Sequence, residues 1–184
     1  MKRFLDILIA LLALLALSPV LLLVAFAIAL QDGFPVLFRQ IRVGRDGRKF
    51  GMLKFRSMVK NAAIQGPYFT VAGDPRITRL GRFMRRTSID ELPQLINVML
   101  GDMSVVGPRP DVPMQRSLYT DSQWQERCSV RPGITGLAQA MIRSEGEEGE
   151  RLELDLQYVR THSVWFDLKI VAFTLKRLGG KGSN

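Results

Sequence analysis

The chain has 184 residues, in which 26 Lys and Arg outnumber 17 Asp and Glu to give a formal charge of +9. That balance makes an anionic partner the expectation: a nucleic acid, an anionic lipid or a phosphorylated substrate. The single cysteine, Cys128, excludes an internal disulfide framework and suits a reducing, cytosol-facing domain.

The N-terminal residues differ from the rest. From Phe4 to Leu30 the only ionised side chain is Asp6, ahead of the run "ILIALLALLALSPVLLLVAFAIAL". A straight helix of that length reaches roughly 40 Å, more than the ~30 Å thickness of a hydrocarbon core. Ser18 and Pro19 fall in its middle. Proline removes a backbone hydrogen bond and clashes with the preceding turn, so a bend is expected there. Both flanks are basic, with Lys2 and Arg3 before the run and Arg39, Arg42, Arg45, Arg48, Lys49 and Lys54 after it. Positive residues favour the cytosolic side, so a helix–break–helix that enters and leaves by one leaflet satisfies both flanks, while a span satisfies only one. "MKR" and Ala25-Phe26-Ala27 also meet the outline of a signal peptide, but the apolar stretch is long for one. Residues 1–31 are therefore expected to form a re-entrant membrane hairpin broken at Ser18-Pro19. Residues 32–178 are expected to form a cytosol-facing domain and 179–184 a flexible tail.

After the breakers Asp32 to Pro35, "VLFRQIRVGRDGRKFGMLKFRSM" alternates apolar and polar residues about a turn at Gly44 to Gly47. This is a hairpin signal. The pattern dissolves between Asn61 and Gly73. Asp74-Pro75 then has the form of an N-cap followed by proline at the first helical position. Ile77, Leu80, Phe83 and Met84 share one side of that helix, with Arg76, Arg79, Arg82 and Arg85 around the remainder. A basic amphipathic helix of this kind suits anionic headgroups. Beyond "SVVGPRPDVP" a polar helix is expected over 114–127, then the Gly/Pro-rich "VRPGITGLAQ" and an acidic loop from Ser144 to Glu150. A last helical block covers 152–178, where Trp165, Phe166 and Lys169 suit a membrane interface and core packing alike.

The stretch "SIDELPQLINVML" places Asp90 and Glu91 at the mouth of a helix, just after Arg85 and Arg86. Ser88 with Glu91 matches a capping box, and Asp90 as N-cap would put Pro93 in the first turn. Capping alone explains both acids. Helix mouths also attract phosphate, and Arg85, Arg86 and Arg109 of "GPRP" would add charged donors. A carboxylate kept ionised there is available as a nucleophile or a magnesium ligand, which points to chemistry at a phosphoryl centre.

The "LSP" break, "PVLFRQIRVGRDGRKFGMLKFRSM", "RRTSIDELPQLINVMLGDMSVVGPRP", "VRPGITGLAQ", "DLQYV" and "WFDLKI" together resemble the bacterial sugar transferases, the monotopic phosphoglycosyl transferases. The resemblance implies an α+β fold: a re-entrant membrane helix, a small β-hairpin and several amphipathic interfacial helices around a helix-mouth active site. It implies the minimal catalytic unit, without the multi-helix membrane domain of larger relatives. The activity implied is transfer of a sugar 1-phosphate from a UDP-sugar to a polyprenyl phosphate, usually undecaprenyl phosphate, with release of UMP. By the same resemblance Asp90 is the nucleophile that forms a covalent aspartyl-phosphosugar. Glu91 serves magnesium or a proton, Asp90 and Glu91 together hold Mg²⁺, and Lys54, Arg85, Pro108 and Arg109 contact substrate phosphate. Asp155 and Asp167 match further acidic positions in supporting roles. The implied location is the cytoplasmic face of the bacterial inner membrane, with anionic lipids as neighbours and a homodimer as an admissible assembly.

Two other readings stand beside it. One is a non-catalytic basic module on a membrane surface; the other is a metal-dependent UDP-sugar diphosphatase. Nucleic acid is not expected, because the basic residues lack interleaved aromatics and carry no recognition motif.

Overall fold

The computed structural model describes residues 1–62, 64–66, 70–71, 73–142 and 148–179. The order of elements is α1 (Lys2–Asp32), β1 (Leu37–Val43), β2 (Lys49–Phe55), α2 (Arg79–Thr87), α3 (Gln94–Leu100), β3 (Ser104–Val106), α4 (Asp121–Arg127), β4 (Gly133–Thr135), α5 (Leu137–Met141), α6 (Glu148–Thr161) and α7 (Val164–Gly179). It is an α+β chain with a long apolar helix leading a small body, as expected.

Helix α1 is long and apolar enough to cross a membrane, and only Asp6, Ala10 and Ile28 of it are buried against the body. Its helical backbone continues through Ser18 and Pro19, so Pro19 lies inside the element rather than between two. Ser18 Oγ donates to Leu15 O at 2.8 Å beside it. Both ends of α1 are fastened to the same body. At the start, Arg3 donates to Val98 O at 2.6 Å, and Asp6 accepts Ser104 Oγ and Val105 N. At the end, Arg56 donates to the carbonyls of Asp32, Gly33 and Pro35. Asp6 is the one acid of the apolar stretch, and it exists to hold β3.

Strands β1 and β2 pair antiparallel from Leu37↔Phe55 to Val43↔Lys49, as the alternation predicts. Asp46 takes the left-handed conformation in the connecting 3₁₀ turn, which aspartate tolerates. A second sheet, the parallel pair β3–β4, is too short to show as a pattern in the sequence. Among the described residues three apolar clusters make the core. Ala10 of α1 meets Met52, Leu95, Val98 and Met103; Ile28 meets Phe55 and Met84; Val106 meets Leu137, Ala140, Tyr158 and Ile170. Asn97 is buried and stitches α3 to β2, accepting from Leu53 N at 2.9 Å and donating to Gly51 O at 2.9 Å. Satisfying these inner backbone groups holds β2 in place.

Several local expectations are corrected. Asp74 does not cap a helix: it pairs with Arg76, and α2 starts later, with Thr78 accepting from Gly81 N at 2.9 Å. Arg76 is buried in that ion pair and is not on a solvent face, whereas Arg79, Arg82 and Arg86 are exposed beside Phe83. The polar helix expected over 114–127 is a 3₁₀ turn, Pro113–Leu118, followed by α4. The last helical block is two helices, α6 and α7, with Trp165 and Phe173 exposed. Ser144 to Glu147 of the acidic loop and the tail 180–184 lie outside the described residues.

Candidate active site

The chain from Arg85 to Gln94 folds differently from a capped helix start. Ser88 closes α2 in the left-handed conformation at φ 58° and makes no capping bond to Glu91. Residues Ile89–Glu91 form a 3₁₀ turn, and α3 follows with Pro93 as its N-cap. The capping box is therefore absent, and both acids stand in the turn just ahead of α3. Capping does not account for them.

The two neighbouring carboxylates occupy opposite surroundings. Glu91 Oε1 accepts both Lys54 Nζ at 2.7 Å and Arg109 Nη2 at 2.9 Å. Burial would raise its pKa, but Arg109 and Lys54 outweigh burial and hold it well below the usual carboxylate range. Glu91 Oε2 has no protein partner among the described residues. Asp90 is 6% exposed and its carboxylate accepts no hydrogen bond among the described residues. Burial pushes its pKa up, against Lys54, with the Glu91 charge adding to the rise and Arg85 and Arg109 opposing it. The sequence suggested that the dipole and arginines keep Asp90 ionised; burial is the larger effect. Lys54 is itself pushed down by burial, with Glu91 pulling it back.

Each cation is placed by a separate element. Lys54 is on β2. Arg85, in the last turn of α2, donates from Nε to Ser57 Oγ at 2.9 Å and from Nη1 to Thr70 Oγ1 at 3.1 Å. Gly81 lets α2 sit this close, because a Cβ there would lie 1.9 Å from Ser57 O. Arg109 is on a loop fixed almost atom by atom. Gly107 N donates to Thr135 O at 2.9 Å and Gly133 N to Pro108 O at 2.9 Å. Arg127 donates to Arg109 O at 2.6 Å, Arg42 to Pro110 O at 2.9 Å, and Val43 N to Asp111 O at 2.9 Å. Pro108 therefore holds the loop through its carbonyl. So many bonds on one short loop preorganise the Arg109 guanidinium beside Glu91.

Asp155 lies behind this loop rather than in the site. It accepts Arg127 Nη2 at 2.8 Å, while Arg127 Nη1 reaches Asp111, so one buried arginine joins two buried acids. Asp167 belongs to a different place: it accepts Lys2 Nζ and Tyr158 Oη, the latter at 2.7 Å, and ties α7 to the start of α1. The sequence did not single out Arg42, Asn97, Asp111 or Arg127 for this scaffolding. Nothing in "ERCSVRPG" marks Arg127 as the brace of a loop eighteen residues earlier.

Among the described residues no group of three or more His, Cys, Asp or Glu could hold a metal ion. The donors at the dyad are the Asp90 carboxylate and Glu91 Oε2. That set matches the habit of Mg²⁺, which takes one or two carboxylates and completes its shell with water and substrate phosphate.

A sequence profile described as bacterial sugar transferase matches residues 1–181. The chain belongs to the bacterial sugar transferase family. It is 46% identical over 191 residues to the undecaprenyl-phosphate glucose phosphotransferase of Komagataeibacter xylinus, covering 96% of this chain and 35% of that protein. To the UDP-glucose:undecaprenyl-phosphate glucose-1-phosphate transferase of Escherichia coli K12 it is 46% identical over 182 residues, 95% of this chain and 39% of the relative. The protein of the same description from Caulobacter vibrioides is 44% identical over 186 residues, 96% of this chain and 69% of its own length. The chain thus spans well under half of the first two relatives and about two thirds of the third.

Proposed function

We propose that the chain transfers a sugar 1-phosphate from a UDP-sugar to a polyprenyl phosphate, with undecaprenyl phosphate as the acceptor, through a covalent intermediate on Asp90. The names of the relatives at 44–46% identity support the substrate classes. The observation that carries the mechanism is the contrast within the dyad. Asp90 is buried and unbonded among the described residues, and its partner Glu91 is fixed between Lys54 and Arg109.

In the first half-reaction an Asp90 oxygen attacks the β-phosphorus of the UDP-sugar. The P–O bond to the α-phosphate breaks and UMP leaves. In the second, an oxygen of the polyprenyl phosphate attacks the aspartyl phosphorus, and the Asp90 carboxylate is expelled unchanged. The burial that raises the Asp90 pKa also strips it of hydrogen-bonded solvent, so the ionised form is a stronger nucleophile. Lys54 and Arg109 neutralise charge on the transferred group, and Arg85 lies where it favours the ionised form of Asp90. Mg²⁺ bound through Asp90 and Glu91 Oε2 would supply charge neutralisation for the diphosphate.

The same reading places the body on the cytoplasmic face, with α1 entering and leaving one leaflet and anionic headgroups around the exposed Arg79, Arg82 and Arg86. The support is that Lys2 and Arg3 at one end of α1 and Asp32 and Gly33 at the other are bonded to one body. A straight span would carry those ends to opposite sides. The enzyme assay is purified protein with a panel of UDP-sugars, Mg²⁺ and undecaprenyl phosphate. With acceptor, UMP and lipid-linked sugar should appear together over many turnovers; sustained UMP release without lipid acceptor, beyond about one equivalent per protein, would mean a diphosphatase instead.

A further inference from the structure

A cavity of about 440 Å³ opens at the foot of α1, away from the dyad, lined in part by Lys2, Arg3, Arg45, Arg131, Ser129 and His162. Its size is in the range of small-molecule sites. Among the described residues Asp6 is the only acid on its wall, and that carboxylate is committed to Ser104 Oγ and Val105 N.

The cations divide into those already spent and those free to bind. Lys2 is taken by Asp167 and Val106 O, and Arg3 by the carbonyls of Val98, Met99 and Met103. Arg131 gives only Nε, to Gly101 O at 2.9 Å, so its two terminal amino groups have no partner among the described residues. Arg45 has only a loose ion pair with Asp46 at 3.6 Å. Its turn is held against the cavity by Asp46 N donating to Cys128 O at 2.8 Å. Arg3 and Arg131 are near enough to repel one another. Like charges gathered on a concave wall, with unused donors, favour an anion between them.

We propose that this cavity binds a phosphate-bearing anion through the free guanidinium ends of Arg131 and Arg45. The phosphate can come from a lipid headgroup or from a soluble phosphate ester. The lipid is the better match in position: Met1 and Phe4, at the same end of α1, are 97% and 70% exposed and suit the boundary between headgroups and acyl chains. The site needs nothing of the transfer chemistry and uses none of the residues around Asp90.

The test is native mass spectrometry of the detergent-solubilised full chain with phosphatidylglycerol or phosphatidylcholine. The wild type should retain phosphatidylglycerol about five-fold or more over phosphatidylcholine. The Arg45→Gln/Arg131→Gln variant should lose the preference and Arg131→Lys should keep it. Arg45→Gln alone, which breaks no structural bond beyond the loose Asp46 pair, should weaken retention with an unchanged Tm. Glycerol 3-phosphate at millimolar concentration separates the sources. If it displaces the lipid and raises the Tm of the wild type but not of the double variant, the soluble ester is the ligand. If the lipid resists it, the headgroup is. Equal retention of both lipids by wild type and double variant, with no Tm shift from glycerol 3-phosphate, overturns the proposal.

Discussion

Glu91 Oε1 accepts Lys54 Nζ and Arg109 Nη2 at 2.7 and 2.9 Å, while Asp90, one residue earlier, accepts nothing among the described residues. On the proposed mechanism the pinned acid is the counter-charge of the site and the unpinned one its reactive group. Glu91→Gln should lower activity and cost about 1–3 kcal/mol of stability, the usual range for losing hydrogen bonds to charged groups. Because Glu91 has a lowered pKa, its stabilisation is complete above the unfolded value of about 4.3 and is lost as pH falls through the lower folded value. Urea unfolding of both forms at pH 7 and in acid checks this: the gap should be constant near neutrality and close only in strong acid.

For Asp90 the sign is reversed. The folded protein binds a proton there more tightly than the unfolded chain does, so stability falls as pH rises from the unfolded pKa through the raised folded one. Asp90→Asn should abolish turnover yet raise Tm at pH 7, each ~1 kcal/mol relieved being worth about 2–4 °C at this size. The gain should vanish at acid pH, where wild-type Asp90 is neutral too. Turnover itself should decline as pH falls through the raised pKa, because the nucleophile must be ionised. Calorimetry and a pH–rate profile read the two effects separately.

How far the sequence carried this picture depends on the range of each signal. The hairpin was legible because alternation and an Asp-Gly turn are local, and its register carries Lys54 to within hydrogen-bond distance of Glu91. Asp90 and Glu91 were legible as a pair, but their setting was misread. A capping box needs a helical start at Ser88, and Ser88 instead takes the left-handed conformation that ends α2. Arg76 was placed on a helix face by its spacing, yet its bond to Asp74 two residues away took it out of the helix altogether. The braces of the Arg109 loop were invisible for a simpler reason. Arg127, Asp111 and Asp155 meet only in three dimensions, and no local pattern marks a residue that works through another.

The Arg127 brace gives a test of positioning without contact. Asp155→Ala leaves a buried arginine short of one acid, which should cost about 3–5 kcal/mol less whatever Asp111 recovers. Activity should fall through misplacement of Arg109, in kcat rather than in the pH profile set by Asp90. Asp155→Glu should recover part of it. An unchanged kcat in a destabilised Asp155→Ala protein would separate the brace from the site.

The path of α1 can be read by cysteine labelling. Lys2→Cys and Phe34→Cys should react with a membrane-impermeant maleimide from the same side of oriented vesicles, and Leu15→Cys from neither. Cys128 is buried and gives little background. Opposite-sided labelling at the two ends would replace the re-entrant path with a span.

The central claim is the covalent step, and intact-protein mass spectrometry tests it most directly. Detergent-solubilised chain is mixed with Mg²⁺ and a panel of UDP-sugars, with no lipid acceptor present. A mass gain equal to one sugar phosphate, mapped to Asp90, lost on adding polyprenyl phosphate and absent from Asp90→Asn, is the predicted result. Lipid-dependent UMP release with no adduct from any donor would contradict it, making the transfer direct and reducing Asp90 to a ligand of the metal.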